Sequence, residues 1–490
     1  MGAKPMNRQL YLERIDKEIE EGPFRDQWES LSGFRVPDWY REAKFGIFIH
    51  WGVYSVPAFK NEWYPRNMYI QDSEEYNHHK ATYGEHTEFG YKDFIPMFTA
   101  ERFDADEWAE LFRRSGARYV MPVAEHHDGF QMYKSDVSRF NAFEMGPKRD
   151  LLGEMKEAFE RQGLTFTASS HRAEHWFFLS HGRKFESDVR EPLARGDFYW
   201  PSMPEHGHHD LHSPPPSAEY LEDWLIRCCE LIDSYDPKVL YFDWWIQHAA
   251  FKPYLKKLAA YYYNRSRRLG YQGIINYKHD AFMLGSAVPD IERGQFSELK
   301  PYYWQTDTAV ARNSWCYTPD NHYKTPHELI QDLVDIVSKN GNLLLNIGPK
   351  ADGTIPEEDR DILLAIGKWL ETNGEAIYGT TYWRIFGEGP TVIEEGQFTD
   401  GKSKTFTPGD IRFTLRGSSL YATVMVYPED GVISITSLKE GSPHFQGLLT
   451  DIQVLGQEER PQWERTADAL IVRTTGASSS LPVVLKISLD

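Results

Sequence analysis

Lys238-Val239-Leu240-Tyr241-Phe242-Asp243-Trp244-Trp245 is an apolar run that stops on a carboxylate set between aromatic rings. Asp236-Pro237 bounds it upstream, so the run reads as a buried strand. A charge placed there must be paired, hydrogen-bonded or exposed at the strand's end, because an isolated buried carboxylate is too costly. In a barrel of parallel strands the C-terminal strand ends are where chemistry sits. The plainer reading is that Asp243 only caps the following turn. Its surroundings decide between the two.

Outward from this strand, helical and strand signals alternate. A helix over 219–234 precedes it, and a helix over 254–269 follows. Residues 273–277 form the next strand, ending at Lys278 and His279, followed by Asp290-Ile291-Glu292-Arg293-Gly294 and a short strand over 303–307. Thr325-Pro326-His327-Glu328 supplies an N-cap, a proline at the first helical position and a glutamate three residues on, which opens a helix. Residues 343–347 are a strand, and a last helix runs from Pro356 to Asn373-Gly374. Toward the N-terminus, a strand over 43–49 ends at His50, and Asp104-Ala105-Asp106-Glu107 has capping-box spacing. A strand over 118–124 ends in Glu125-His126-His127-Asp128-Gly129, and one over 164–168 runs into Ser169-Ser170-His171.

This order predicts a (β/α)8-like TIM barrel over 35–385, with a weak sixth strand and poorly marked helices between strands five and seven. Residues 1–34 read as a polar lead-in with a short amphipathic helix. From about residue 390 the texture changes to short alternating strands with Gly, Ser and Pro-Glu-Asp-Gly turns. This predicts a smaller C-terminal antiparallel β-sandwich over 390–490, packed on the barrel through apolar residues and carrying no catalytic group.

The 490 residues suit one large and one smaller domain. A net charge of −19 argues against nucleic acid as a partner. No apolar run reaches about 18 residues, so no membrane span is expected. Cys228, Cys229 and Cys316 give no disulfide framework. The first ten residues lack a signal peptide's apolar core, so a cytoplasmic location is expected unless a leader has been removed. Nothing specifies an oligomeric state. Fifteen tryptophans, several at strand ends beside polar groups, suit stacking on a sugar ring.

Phe45-Gly46-Ile47-Phe48-Ile49-His50-Trp51-Gly52, Asn61-Glu62-Trp63-Tyr64, His126-His127-Asp128-Gly129-Phe130, Phe242-Asp243 and the run from Ser338 to Pro349 occur in an order that resembles the α-L-fucosidases of glycoside hydrolase family 29. The resemblance implies a retaining, exo-acting glycosidase with no metal or other cofactor, acting on a fucosylated oligosaccharide or glycoconjugate by double displacement. It implies Asp243 as nucleophile and places the acid/base near Glu292. Glu298 is the alternative, as is a purely structural Glu292–Arg293 pair. A cation touching a general acid would lower its pKa, so Arg293 is expected to point away from Glu292. The resemblance further implies that His50, His126, His127 and Glu62 bond sugar hydroxyls and that Trp63 packs on the ring. Lys278 is expected at the basic position near the sugar. Trp245 and Trp304 are candidates for the pocket of the C6 methyl group. In this chain Ser169-Ser170-His171 stands where many family members carry a tyrosine.

Two other readings compete. His126-His127-Asp128 could serve a metal-dependent hydrolase, but adjacent histidines on a strand point to opposite faces and do not easily share a metal. The histidines between His206 and His212 read as a solvated loop. A catalytically inactive carbohydrate-binding barrel is the third reading, against which stands the presence of both carboxylates.

Overall fold

The computed structural model describes residues 7–205, 210–212, 214–400, 402, 405–474 and 479–490. Eight parallel strands form its centre: β1 (Phe45–Ile49), β2 (Tyr119–Glu125), β3 (Thr165–Phe166 and Ala168–Ser170, parted at Thr167), β4 (Val239–Phe242), β5 (Ile274–Tyr277), β6 (Val288–Glu292), β7 (Trp304–Ala309) and β8 (Gly341–Ile347). Their spatial order is β1-β8-β7-β6-β5-β4-β3-β2, and β2 pairs back onto β1, so the sheet closes into a barrel.

β1, β2 and β8 are buried along their whole length, as strands covered on both faces should be. The barrel floor is unusually polar. Tyr40 and Tyr119 both donate to Gln305 Oε1, at 2.9 and 3.0 Å, and Gln305 Nε2 donates to Asp290 Oδ2 at 2.8 Å. Gly46 makes room for this arrangement: a Cβ there would lie 2.4 Å from the Tyr119 ring. The buried polar groups thus satisfy one another instead of leaving costly unpaired atoms.

A first helix, α1 (Arg8–Glu21), buries Ile15 and Ile19 against the barrel's outer layer. That layer is formed by α2 (Ala105–Arg114), α3 (Leu151–Arg161), α4 (Ala218–Tyr235), α5 (Lys252–Arg268), α6 (Pro326–Ser338) and α7 (Glu357–Asn373). Among the described residues no helix separates β5, β6 and β7. The capping box at Thr325 and Glu328 forms in full. At α2 only half of one does: Asp104 accepts from Asp106 N and Glu107 N, while the Glu107 carboxylate pairs with Arg360. No helix of the described residues is long and apolar enough to cross a membrane.

The C-terminal region holds β9 (Thr381–Glu388), β10 (Ile411–Arg416), β11 (Ser419–Val424), β12 (Val432–Ile435), β13 (Leu449–Val454), β14 (Gln462–Arg465), β15 (Leu470–Arg473) and β16 (Val483–Leu489). They make two antiparallel sheets, β9-β10-β11-β16-β13 and β12-β15-β14. The larger sheet is two-faced. Leu420, Ala422 and Val424 of β11 join Ile433 and Val472 in the core between the sheets, whereas Tyr421 joins the barrel's core.

The contact with the barrel is not purely apolar, contrary to expectation. Asp335 of α6 is clamped by Lys339 at 2.6 Å and by Arg412 of β10, all three buried. The connection from β9 to β10 also runs back to the barrel mouth, where Phe398 N donates to Glu292 O and Asp400 N to Arg293 O, both at 2.9 Å.

Candidate active site

A cavity of about 1110 Å³ opens at the C-terminal ends of the barrel strands. Asp243, the first residue after β4, faces it from one wall. Its Oδ2 lies 3.3 Å from His127 Nε2 and 3.2 Å from His171 Nδ1. His127 Nδ1 donates to the His171 carbonyl at 2.9 Å, which leaves Nε2 to turn toward Asp243 and toward Glu174, 3.5 Å away. His171 Nε2 meets Ser169 Oγ at 3.1 Å, so a neutral ring can present its Nδ1–H to Asp243.

The electrostatics follow from these contacts. Burial opposes ionisation of Asp243, but the neighbouring His171 and His127 rings outweigh it and hold its carboxyl well below the usual carboxylate range. Burial alone would also neutralise His127; Glu174 and Asp243 instead raise its pKa to about 9, so the ring is a cation at neutral pH. Burial raises Glu174 to about 7 against the pull of His127. His50, His126 and His171 all lie below the ordinary histidine value, chiefly through burial, and are neutral.

Glu292, at the end of β6, faces the same cavity. Its Oε2 accepts from Trp244 Nε1 and lies 3.1 Å from Lys278 Nζ. Arg293 points away, donating to the carbonyls of Ala311 and Ser314 and pairing with Asp400 at 3.3 Å. Glu298 is exposed and does not line the cavity. Burial raises the Glu292 pKa, and Asp243 adds to the effect, despite the opposing lysine. Lys278 does not reverse the shift because it is shared: Asp307 and Asp290 lie 3.2 and 3.3 Å from the same ammonium. One cation cannot offset three buried carboxylates, so the carboxyls around it compete for protons.

Several expected residues take their places at the cavity. His50, Glu62, Trp63, His126, His127 and Trp245 all line it. His50 Nδ1 is bonded to Asn346 Oδ1 at 2.6 Å, and Glu62 Oε2 accepts from Trp315 N at 2.9 Å. His126 Nδ1 is buried with no protein partner.

Two expectations are corrected. Lys278 is fully buried beneath the cavity among its carboxylates and is not presented to a ligand. His279 lines the wall in its stead, beyond the end of β5, where the backbone turns out of the strand with φ of 53°. Trp304 opens β7 rather than closing it, so it sits at the far end of the barrel, buried, with Nε1 donating to Lys339 O at 2.9 Å.

Residues not singled out from the sequence also line the cavity, among them His171, Glu174, Asp307, Trp315 and Phe398. Only His171 carried a signal, as the residue that ends β3 where a tyrosine was expected.

Metal-type groupings do occur. Ring nitrogens of His50, His126 and His171 lie within 4.8 Å of one another, as do donor atoms of His127, His171 and Asp243. The tripeptide His126-His127-Asp128 is not such a set, since Asp128 turns away to accept from Tyr91 OH and Phe130 N. Of the loop histidines, His206, His208 and His209 lie outside the described residues, and His212 lines the cavity rim.

The sequence model of the family described as alpha-L-fucosidase matches residues 12–375. Rat tissue alpha-L-fucosidase is 33% identical over 448 residues, which cover 90% of this chain and 86% of that protein. Human plasma alpha-L-fucosidase is 31% identical over 464 residues, again 90% and 86% of the two chains. The crystal structure of Thermotoga maritima alpha-fucosidase in complex with a mechanism-based inhibitor superposes with a TM-score of 0.75 at 31% identity, covering 95% of this chain and all of that one.

The raised pKa of His127 has a consequence for stability. Its native value of about 9 exceeds the ordinary 6.5, so the charge stabilises the fold fully below pH 6.5 and ceases to do so as pH rises through 9. His127→Gln should therefore melt below the parent by a margin that shrinks by roughly 3 kcal/mol across this interval. Thermal denaturation at several pH values measures it; a margin independent of pH would contradict a cationic His127.

Proposed function

The chain belongs to the α-L-fucosidase family, and from that premise we propose that Asp243 and Glu292 are the nucleophile and the acid/base of a double displacement. The protein is a glycoside hydrolase that releases α-L-fucose, and its substrate is a fucosylated glycan. One observation carries the assignment: two carboxyl groups face one cavity with opposite tendencies, Asp243 toward the anion and Glu292 toward the acid. A retaining glycosidase needs that division of labour.

In the first step an Asp243 oxygen attacks the anomeric carbon, forming a C–O bond as the bond to the leaving oxygen breaks. Glu292 gives its proton to that oxygen. The negative charge of Asp243 is lost in the ester, and the His127 cation then retains Glu174 as its counter-ion. In the second step Glu292, now a carboxylate, takes a proton from water as the water oxygen attacks the same carbon and the ester bond breaks, returning Asp243 to its carboxylate. Lys278 steadies that carboxylate at 3.1 Å. Two inversions restore the original configuration.

Sugar recognition falls to groups whose hydrogen bonds are incomplete. The second carboxyl oxygen of Glu62 remains for a hydroxyl, and the His126 ring lines the same cavity. Trp315, tilted over His50 with ring centroids 5.2 Å apart, takes the place intended for Trp304 as an apolar wall for the C6 methyl.

Substitution separates the two carboxyls. Asp243→Gly should abolish turnover of every fucoside. Glu292→Ala should retain far more activity on fucosyl fluoride than on a fucosylated oligosaccharide, because fluoride leaves without a proton. Azide should accelerate that variant and yield α-fucosyl azide, of retained configuration, because it attacks the β-linked ester on Asp243 from the opposite face. Equal loss on both substrates with no azide rescue would remove Glu292 from the acid/base role.

The shared lysine makes a second prediction. Asp307→Asn withdraws one carboxylate from Lys278, whose charge then falls more heavily on Glu292 and lowers its pKa. The alkaline limb of kcat/KM should move to lower pH. An unmoved limb, or one displaced upward, would show that Lys278 is not divided among these carboxyls.

A further inference from the structure

Phe398 is 53% exposed, an unusual setting for a phenylalanine at the mouth of a catalytic cavity. It belongs to the long connection between β9 and β10, yet it is fixed against the barrel. Gly396 N donates to Gln295 O at 3.1 Å, and Phe398 N and Asp400 N continue the pairing along Glu292 and Arg293. The approach is so close that a Cβ on Gly294 would lie 1.8 Å from Gly396 O, so only glycine fits there. Beyond it, the Asp400 carboxylate is held by Lys324 and Thr308 at 2.6 Å and by Arg293 at 3.3 Å. Phe398 itself has φ of 56°, a conformation retained only where the surroundings enforce it.

The ring so fixed lies nearly parallel to Trp244, with centroids 6.0 Å apart and planes at 19°. Trp244 donates its Nε1–H to Glu292 and carries His279 against its edge at 4.3 Å. Phe398, Trp244 and His279 form one aromatic wall, open to solvent, on the Glu292 side of the cavity. The proton donor stands on the leaving-group side of the scissile bond. The wall therefore flanks the aglycone rather than the fucose.

We infer that Phe398 and Trp244 form the leaving-group subsite, a platform for the C–H face of the hexopyranose to which fucose is attached. A pyranose offers one face of C–H groups beneath its hydroxyls, and an exposed flat aromatic surface desolvates that face without requiring a particular hydroxyl pattern. The connection from the C-terminal sandwich thus helps select the aglycone while carrying no catalytic group. This rests on Glu292 being the acid, since that defines the leaving-group side.

The test compares two substrates in the full-length enzyme: fucosyl fluoride, which has no sugar aglycone, and a fucosylated trisaccharide. Phe398→Ala should lower the ratio of kcat/KM on the trisaccharide to that on the fluoride about tenfold, through KM. Phe398→Trp should restore the ratio, which a merely structural role would not explain. A ratio equal to the parent's in Phe398→Ala, or one lowered through kcat alone, would overturn the platform. Failure of the Glu292 assignment would show separately, as a Glu292→Ala variant that loses both substrates equally.

Discussion

A single buried lysine controls the chemistry of this site. Lys278 lies within 3.3 Å of carboxyl oxygens from Asp290, Glu292 and Asp307, all of them buried residues. A cation held against one glutamate alone would strip it of its proton and disable it as an acid. Division among three carboxyls prevents that, and desolvation prevails at Glu292. The polar barrel floor serves the same end. Tyr241 OH donates to Asp307 at 2.9 Å and Gln305 to Asp290 at 2.8 Å, so each carboxyl that shares the lysine is also fixed in place.

Across the cavity the opposite problem is solved by histidines. Asp243 must stay ionised although largely buried, and His127, kept cationic by Asp243 and Glu174 together, supplies the charge. His171 adds a neutral N–H, oriented by Ser169. The barrel achieves this by placing these side chains one or two residues beyond the ends of β2, β3 and β4, so three neighbouring strands of one sheet converge on a single carboxylate. Packing determines the positions, and the charges then determine which carboxyl keeps its proton.

Much of this was legible in the sequence. The barrel strands were marked by apolar runs ending in polar residues, and Asp243 stood out as the charge that stops such a run. What escaped was direction. Lys278 and His279 are neighbours just beyond β5, and the turn that begins at His279, with φ of 53°, leaves the first buried and exposes the second. Trp304 was misplaced because a short strand gives no sign of which end faces the mouth; Asp307, three residues on, is the one that does. Three sandwich strands escaped, β9, β13 and β14, the last because Gln462–Arg465 lies at a sheet edge and lacks buried alternate residues. Phe398 had no local signal at all. Its role depends on a backbone pairing with residues about a hundred positions earlier.

The central claim is that Asp243 takes the fucosyl group covalently while Glu292 serves as acid and base. A 2-deoxy-2-fluoro-fucosyl fluoride tests it directly: the ring fluorine slows both steps, the fluoride leaving group restores the first, and the ester accumulates. The wild-type enzyme should gain the mass of one fluorofucosyl group, and proteolysis should map it to the peptide containing Asp243. A label on Glu292, on any other carboxylate, or sustained turnover of the reagent with no labelled enzyme would contradict the account.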